Sequence, residues 1–102
     1  MSLSSSHRLN LVFVTRRTSG VGRRMESILA TLQARNRGRL RVRVVDADAE
    51  PGFVGTLGVA EIPSVIVMKG SRPVAEVHGR ATLEQLEQLV SDHLPTAREH
   101  RR

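Results

Sequence analysis

Two short runs of this chain are apolar and β-branched almost from end to end. Leu9–Thr15 reads Leu-Asn-Leu-Val-Phe-Val-Thr, and Ser64–Lys69 reads Ser-Val-Ile-Val-Met-Lys. Runs of that length and composition are the signature of fully buried strands. A third segment behaves differently. In Arg39–Asp46, Leu40, Val42 and Val44 alternate with Arg39, Arg41 and Arg43, which predicts a strand with one solvated face. Gly70-Ser71-Arg72 reads as a hairpin turn that carries Ser64–Lys69 into a fourth strand, Pro73–His78, broken by Gly79.

Helical periodicity fills the intervals. Met25, Ile28, Leu29 and Leu32 recur at i, i+3, i+4 and i+7, one apolar face of a helix that Gly38 should stop. Before it, Arg16–Gly22 reads as a turn, with Thr18 or Ser19 as the helix cap. Asp48 is the expected cap of a short helix that has Pro51 in its first turn and ends by Gly58. Thr82-Leu83-Glu84-Gln85 is a capping box: the Thr oxygen accepts the third amide and the Gln reaches back. Leu83, Leu86, Leu89, Val90 and Leu94 then line one side of a last helix, which Pro95 ends. The order is β-α-β-α-β-β-α. Strands joined through a helix run parallel with a right-handed crossover, and the last two form an antiparallel hairpin.

At 102 residues the chain is read as one domain, 9–94, between a flexible segment, 1–8, and a charged tail, 95–102. Phe13 and Phe53 are its only aromatic residues, so aliphatic side chains must build the core. No apolar run approaches the roughly eighteen residues of a membrane span. The polar start, Met1–Arg8, lacks the apolar centre of a signal peptide and reads as cytoplasmic. There is no cysteine. That excludes a disulfide framework, zinc sites built on thiolates and thiol catalysis by this chain. The net charge of +6 is uneven: residues 1–45 carry ten arginines against the single acid Glu26.

With this element order, several segments together resemble the thioredoxin family. Leu11–Val14 stands as the strand before the redox loop, and Met25-Glu26-Ser27-Ile28-Leu29 as the helix after it. Asp46-Ala47-Asp48-Ala49-Glu50-Pro51 is similar to the family's Asp-x-Asn-Pro step. Gly58-Val59-Ala60-Glu61-Ile62-Pro63-Ser64 is similar to its Gly-Ile-x-x-Ile/Val-Pro-Thr element, and Gly79 stands where the family has a glycine before the last helix. The resemblance runs from Leu11 to Leu94. It implies a minimal α/β fold, a four-stranded mixed sheet flanked by three helices, without the family's N-terminal strand and helix. Arg39–Asp46 should therefore lie at the sheet edge, where alternating arginines guard against aggregation. It also implies a cis Ile62-Pro63 peptide beside the loop. The departures are as informative. Ser19 and Gly22 stand at the two thiol positions, Val21 at the usual proline, Thr18 at the preceding tryptophan, and Phe13 and Val44 where the family has a buried carboxylate and a lysine.

These residues imply a non-redox module that binds a protein or an extended peptide, and no enzyme. Thr18, Ser19, Gly20, Val21 and Gly22 would offer a surface at a helix N-terminus, with Arg17 and Arg23 supplying positive charge. Ile62 would pair its backbone with the bound segment, and Pro63 and Gly79 would shape the groove. Ser19 as a nucleophile needs a base within reach, and His7, His78, His93 and His100 form no motif that supplies one; Glu61 is a candidate neighbour in the fold. No cofactor or metal is expected, since the histidines show no ligand spacing. The alternative reading is a basic anion- or nucleic-acid-binding protein that uses Arg35, Arg37, Arg39, Arg41 and Arg43. The absence of interleaved aromatic residues weighs against nucleic acid. Homodimerisation through the Arg39–Asp46 edge stays open.

Overall fold

The computed structural model describes residues 8–17 and 20–94, with the backbone alone at Val21. Thr18, Ser19, most of the predicted N-terminal segment and the tail from Pro95 lie outside the described residues. The elements are β1 (Leu9–Thr15), α1 (Gly20–Arg35), β2 (Leu40–Asp46), α2 (Pro51–Leu57), β3 (Ser64–Lys69), β4 (Arg72–His78) and α3 (Leu83–His93). They form one four-stranded sheet in the order β2-β1-β3-β4. β1 and β2 are parallel, and the other two pairings are antiparallel. The fold is the four-stranded mixed sheet with three helices that the sequence predicts, and β2 is an edge strand. No helix among the described residues is long and apolar enough to cross a membrane.

Strand alternation divides the core in two. Leu9, Leu11, Phe13, Val65 and Val67 point to one face, under Met25, Leu29 and Leu32 of α1 and Leu86 and Val90 of α3. Val12, Val14, Ile66 and Met68 point to the other, under Phe53, Val54 and Leu57 of α2. Both apolar strands are thus covered on both sides, which is why neither has a polar face.

The local signals hold with three corrections. α1 begins at Gly20, so Gly20–Gly22, read as turn, is the helix's first turn. It ends at Arg35 because Asn36 Nδ2 donates to the Leu32 carbonyl at 2.9 Å, taking one of the last carbonyls of the helix. Gly38 then turns the chain at φ +82°. Asp48 does not cap α2. Glu50 occupies that position without a side-chain bond, and Asp46 Oδ1 accepts the Asp48 N–H at 2.9 Å, so the aspartates build the preceding turn instead. The third correction concerns β2. Its arginines are exposed as read, Arg43 also lying 4.6 Å over the Phe53 ring and 3.0 Å from Glu50 on the α2 side; it is the apolar side that departs from the reading. Val44, on the opposite side, is 43% exposed. The Val42 N–H at this edge is taken by Gln33 Oε1 at 2.6 Å. The capping box at Thr82 forms as read, with Thr82 Oγ1 accepting from Gln85 N–H at 3.1 Å and Gln85 Oε1 accepting from Thr82 N–H at 2.8 Å.

Candidate functional site

Sheet register brings the separated motifs to one place. Val14 lies opposite Ser64, Thr15 opposite Asp46, and Ser64 opposite His78. The C-terminal ends of β1, β2 and β4 and the start of β3 therefore share one end of the sheet. α1 starts there, three residues beyond Arg17. The Ala47 N–H donates to the Thr15 carbonyl at 2.9 Å and closes the β1–β2 side. The Gly79 N–H donates to the Pro63 carbonyl at 2.7 Å and ties the end of β4 to the Ile62-Pro63 loop. Gly79 makes this turn at φ +77°, a conformation side-chain-bearing residues rarely adopt.

The Ile62-Pro63 peptide is cis. Ile62 is half-buried, and among the described residues its backbone N–H and C=O take no hydrogen-bond partner. Charges of both signs lie at this end, with Glu61 adjoining Ile62 in the chain and exposed. Arg17 and Arg23 are exposed, as is Arg24. Arg17 Nε sits 3.8 Å from Asp46 Oδ2, and Arg16 Nη1 is 3.1 Å from Asp48 Oδ1. Arg24 and Arg80 flank an apolar cavity of about 260 Å³ formed by Met25 and Ile28 of α1 with Ala81 and Leu83. Of the predicted site, Arg17, Gly20, Arg23, Ile62, Pro63 and Gly79 thus belong to this end. Gly22 does too but is buried, so the surface of outward amides expected over Gly20–Gly22 narrows at α1's first turn. Thr18 and Ser19 fall outside the described residues, as does the side chain of Val21.

A cluster the sequence reading missed lies beneath the loop. Ser64 Oγ is 3.1 Å from His78 Nδ1, and Glu76 Oε2 is 3.4 Å from that same nitrogen. The trio is the residue set of a hydrolase, but its geometry is not. Ser64 is fully buried and donates its hydroxyl to the Glu61 carbonyl at 2.6 Å. Serine and carboxylate both approach one ring nitrogen, whereas a proton relay needs one on each. With the hydroxyl hydrogen on Glu61, the His78 Nδ1–H donates to Ser64 Oγ. The cluster clamps the loop to β4. The signal for it was the hairpin register, which pairs Ser64 with His78 across a bulge at Val67/Met68.

Nothing titratable stands where a redox loop would have its proton relay. Phe13 is fully buried and pairs in register with Val44 of the edge strand. Among the described residues no group of three His, Asp or Glu side chains could hold a metal ion. His93 is on α3, its Nδ1 2.9 Å from the Leu89 carbonyl.

Comparison with known proteins agrees with this fold. The thioredoxin family model matches residues 2–92. A thioredoxin from Alicyclobacillus acidocaldarius is 31% identical over 75 residues, covering 74% of this chain and 71% of that protein. Among solved structures, a mutant thioredoxin from Halobacterium salinarum superposes with a TM-score of 0.80 at 19% identity, over 93% of this chain and 82% of that one. The germline-specific thioredoxin Deadhead from Drosophila melanogaster gives 0.79 at 18% identity, over 89% and 86%.

Proposed function

This chain belongs to the thioredoxin family, and from that premise we propose that it is a non-redox docking module for an extended, acidic protein segment. Thiol–disulfide exchange needs a thiolate to attack and a second sulfur to resolve the mixed disulfide. This chain has no cysteine. What it keeps is a surface. The observation that carries the reading is the Ile62-Pro63 loop, clamped through Gly79 and Ser64, with the Ile62 backbone N–H and C=O unpaired among the described residues. A free donor and acceptor on one residue is the element an extended peptide pairs with, as in strand addition. The cavity beside it, of about 260 Å³, suits one apolar side chain, and Arg24 and Arg80 at its rim favour carboxylates on either side.

The test is a titration of the ¹⁵N-labelled chain with a synthetic decapeptide of alternating Glu and Leu. Amide shifts should concentrate at Ile62, Gly79, Arg80 and Arg24. Charge reversal at Arg24 and Arg80 together should weaken binding by at least tenfold, while Arg72→Glu, a reversal at the other end of the sheet, should leave it within about twofold. Shifts confined to residues away from the Ile62-Pro63 loop, or equal weakening by Arg72→Glu, would overturn the reading.

A further inference from the structure

We propose that the opposite end of the molecule carries a second binding site, for a phosphate group. There, the start of β1, the end of α1 and the start of β2 enclose a cavity of about 430 Å³. Arg8, Arg37 and Arg41 line it, with Gln33, Gly38 and Leu40, and no carboxylate does. Arg37 and Arg41 stand four residues apart around Gly38, and the pairing of Leu9 with Leu40 brings Arg8 to them.

Their surroundings differ from those of four other arginines of the basic half. Arg16, Arg17, Arg35 and Arg43 each have an acidic partner. Arg8, Arg37 and Arg41 pair with no carboxylate among the described residues. Three like charges on one concavity repel one another, and an anion placed among them relieves that cost. The partial negative charge at the end of α1, about half an elementary charge, offsets only a fraction of it.

A second, independent observation is the Arg8 Nε. It is buried and has no hydrogen-bond partner among the described residues. Buried donors are almost always satisfied, so an unsatisfied one marks a position where an acceptor belongs. A guanidinium presents its donors as a planar fork suited to bidentate contact with an oxyanion. Phosphate fits better than a single carboxylate because it carries up to two charges and enough oxygens to meet three forks. No aromatic residue lines the cavity, so the group recognised is the phosphate itself and no base is stacked. Small phosphate compounds and a nucleic-acid backbone share that chemistry.

The site is independent of the docking surface, and its test separates the two sources. Inorganic pyrophosphate and a fluorescent twenty-residue oligo-dT are titrated into the full chain and into Arg8→Gln, Arg37→Gln, Arg41→Gln and the control Arg72→Gln. Thermal melts of each variant verify folding, and Arg8→Lys retains the charge without the fork. Pyrophosphate should shift the Arg8 Nε–H resonance, and each pocket variant, Arg8→Lys included, should weaken binding by at least fivefold while Arg72→Gln leaves it unchanged. Oligo-dT binding with a log–log salt slope of about −2, lost in Arg41→Gln, would identify a nucleic-acid backbone as the source. Pyrophosphate binding without oligo-dT binding would identify a small phosphate compound. No saturable binding of either probe, or an equal loss in Arg72→Gln, overturns the proposal.

Discussion

On one face of the sheet, α1 and α3 bury Leu11, Phe13, Leu29, Leu32 and Leu86 to zero exposure. On the other, the seven-residue α2 covers Val12, Val14, Ile66 and Met68 yet buries none of its own residues. Between α2 and the sheet a groove of about 770 Å³ stays open, walled by Val12, Arg41, Phe53, Leu57, Met68 and Pro73. Both faces are apolar, because β1 and β3 are apolar on both sides. The difference is how completely helices cover them. Burial per side chain sets hydrophobic stabilisation, so the first face should hold most of the folding free energy and the second should tolerate change. The Ile62-Pro63 loop sits at an end of the sheet shared by both faces. It is tied to β4 through Gly79 and through Ser64 with His78, and its Ile62 packs on the second face beside α2.

The largest expected effect tests the first face. Phe13→Ala removes the largest fully buried side chain, and α1 and α3 cannot both collapse onto the space. A loss of about 3–5 kcal/mol is expected in urea denaturation. For a domain of this size that lowers the melting temperature by more than about 12 °C.

Phe53→Ala tests the second. Phe53 is half-buried and borders the open groove, so truncation extends a space that already reaches solvent. The expected cost is about 1–2 kcal/mol, roughly half the transfer free energy of a fully buried ring. If Phe53→Ala costs as much as Phe13→Ala, the two faces are energetically equivalent and the comparison fails.

The same asymmetry governs what was readable in the sequence. β1 and β3 were legible because burial on both faces leaves an apolar run with no alternation to misread. Thr82 with Gln85, and Pro51 with Gly58, were legible because caps act within four residues or mark the ends of a short helix. The start of α1 was not: Gly20 and Gly22 carry no side-chain pattern, and helix at such residues is imposed by what packs on the rest of it. Asp48 and Asp46 are both good turn and cap residues, and their roles were settled by the turn itself. The arginines of β2 are exposed as the alternation predicts, but alternation shows only which residues share a side and could not show that α2 flanks it. At the candidate site, the Ile62-Pro63 and Gly79 elements were recognisable as motifs. Ser64 with His78, and Arg8 with Arg37 and Arg41, depend on register and crossover, which no local window contains. Thr18 and Ser19, central to the sequence reading, lie outside the described residues.

The smallest effect sharpens the comparison at its boundary, where edge strand meets α2. Arg43 there makes two contacts at once, the 3.0 Å ion pair to Glu50 and the stacking 4.6 Å above Phe53. The ion pair is roughly half exposed on both sides and should contribute at most about 1 kcal/mol. The cation–π contact at a partly open site contributes about 0.5–1 kcal/mol. Arg43→Met keeps the length of the stem and removes both, so a loss of about 1 kcal/mol is expected. Two double-mutant cycles apportion it, Arg43→Met with Glu50→Gln and Arg43→Met with Phe53→Ala. At about 1 M salt the screening length falls to about 3 Å, which suppresses an exposed ion pair much more than a guanidinium packed on a ring. The Glu50 coupling should therefore fade with salt while the Phe53 coupling persists. If both vanish together, Arg43 is a solvated charge, and the second face owes its cover to apolar side chains alone, Phe53, Val54 and Leu57 of α2 with Val59 and Ile62 of the loop after it.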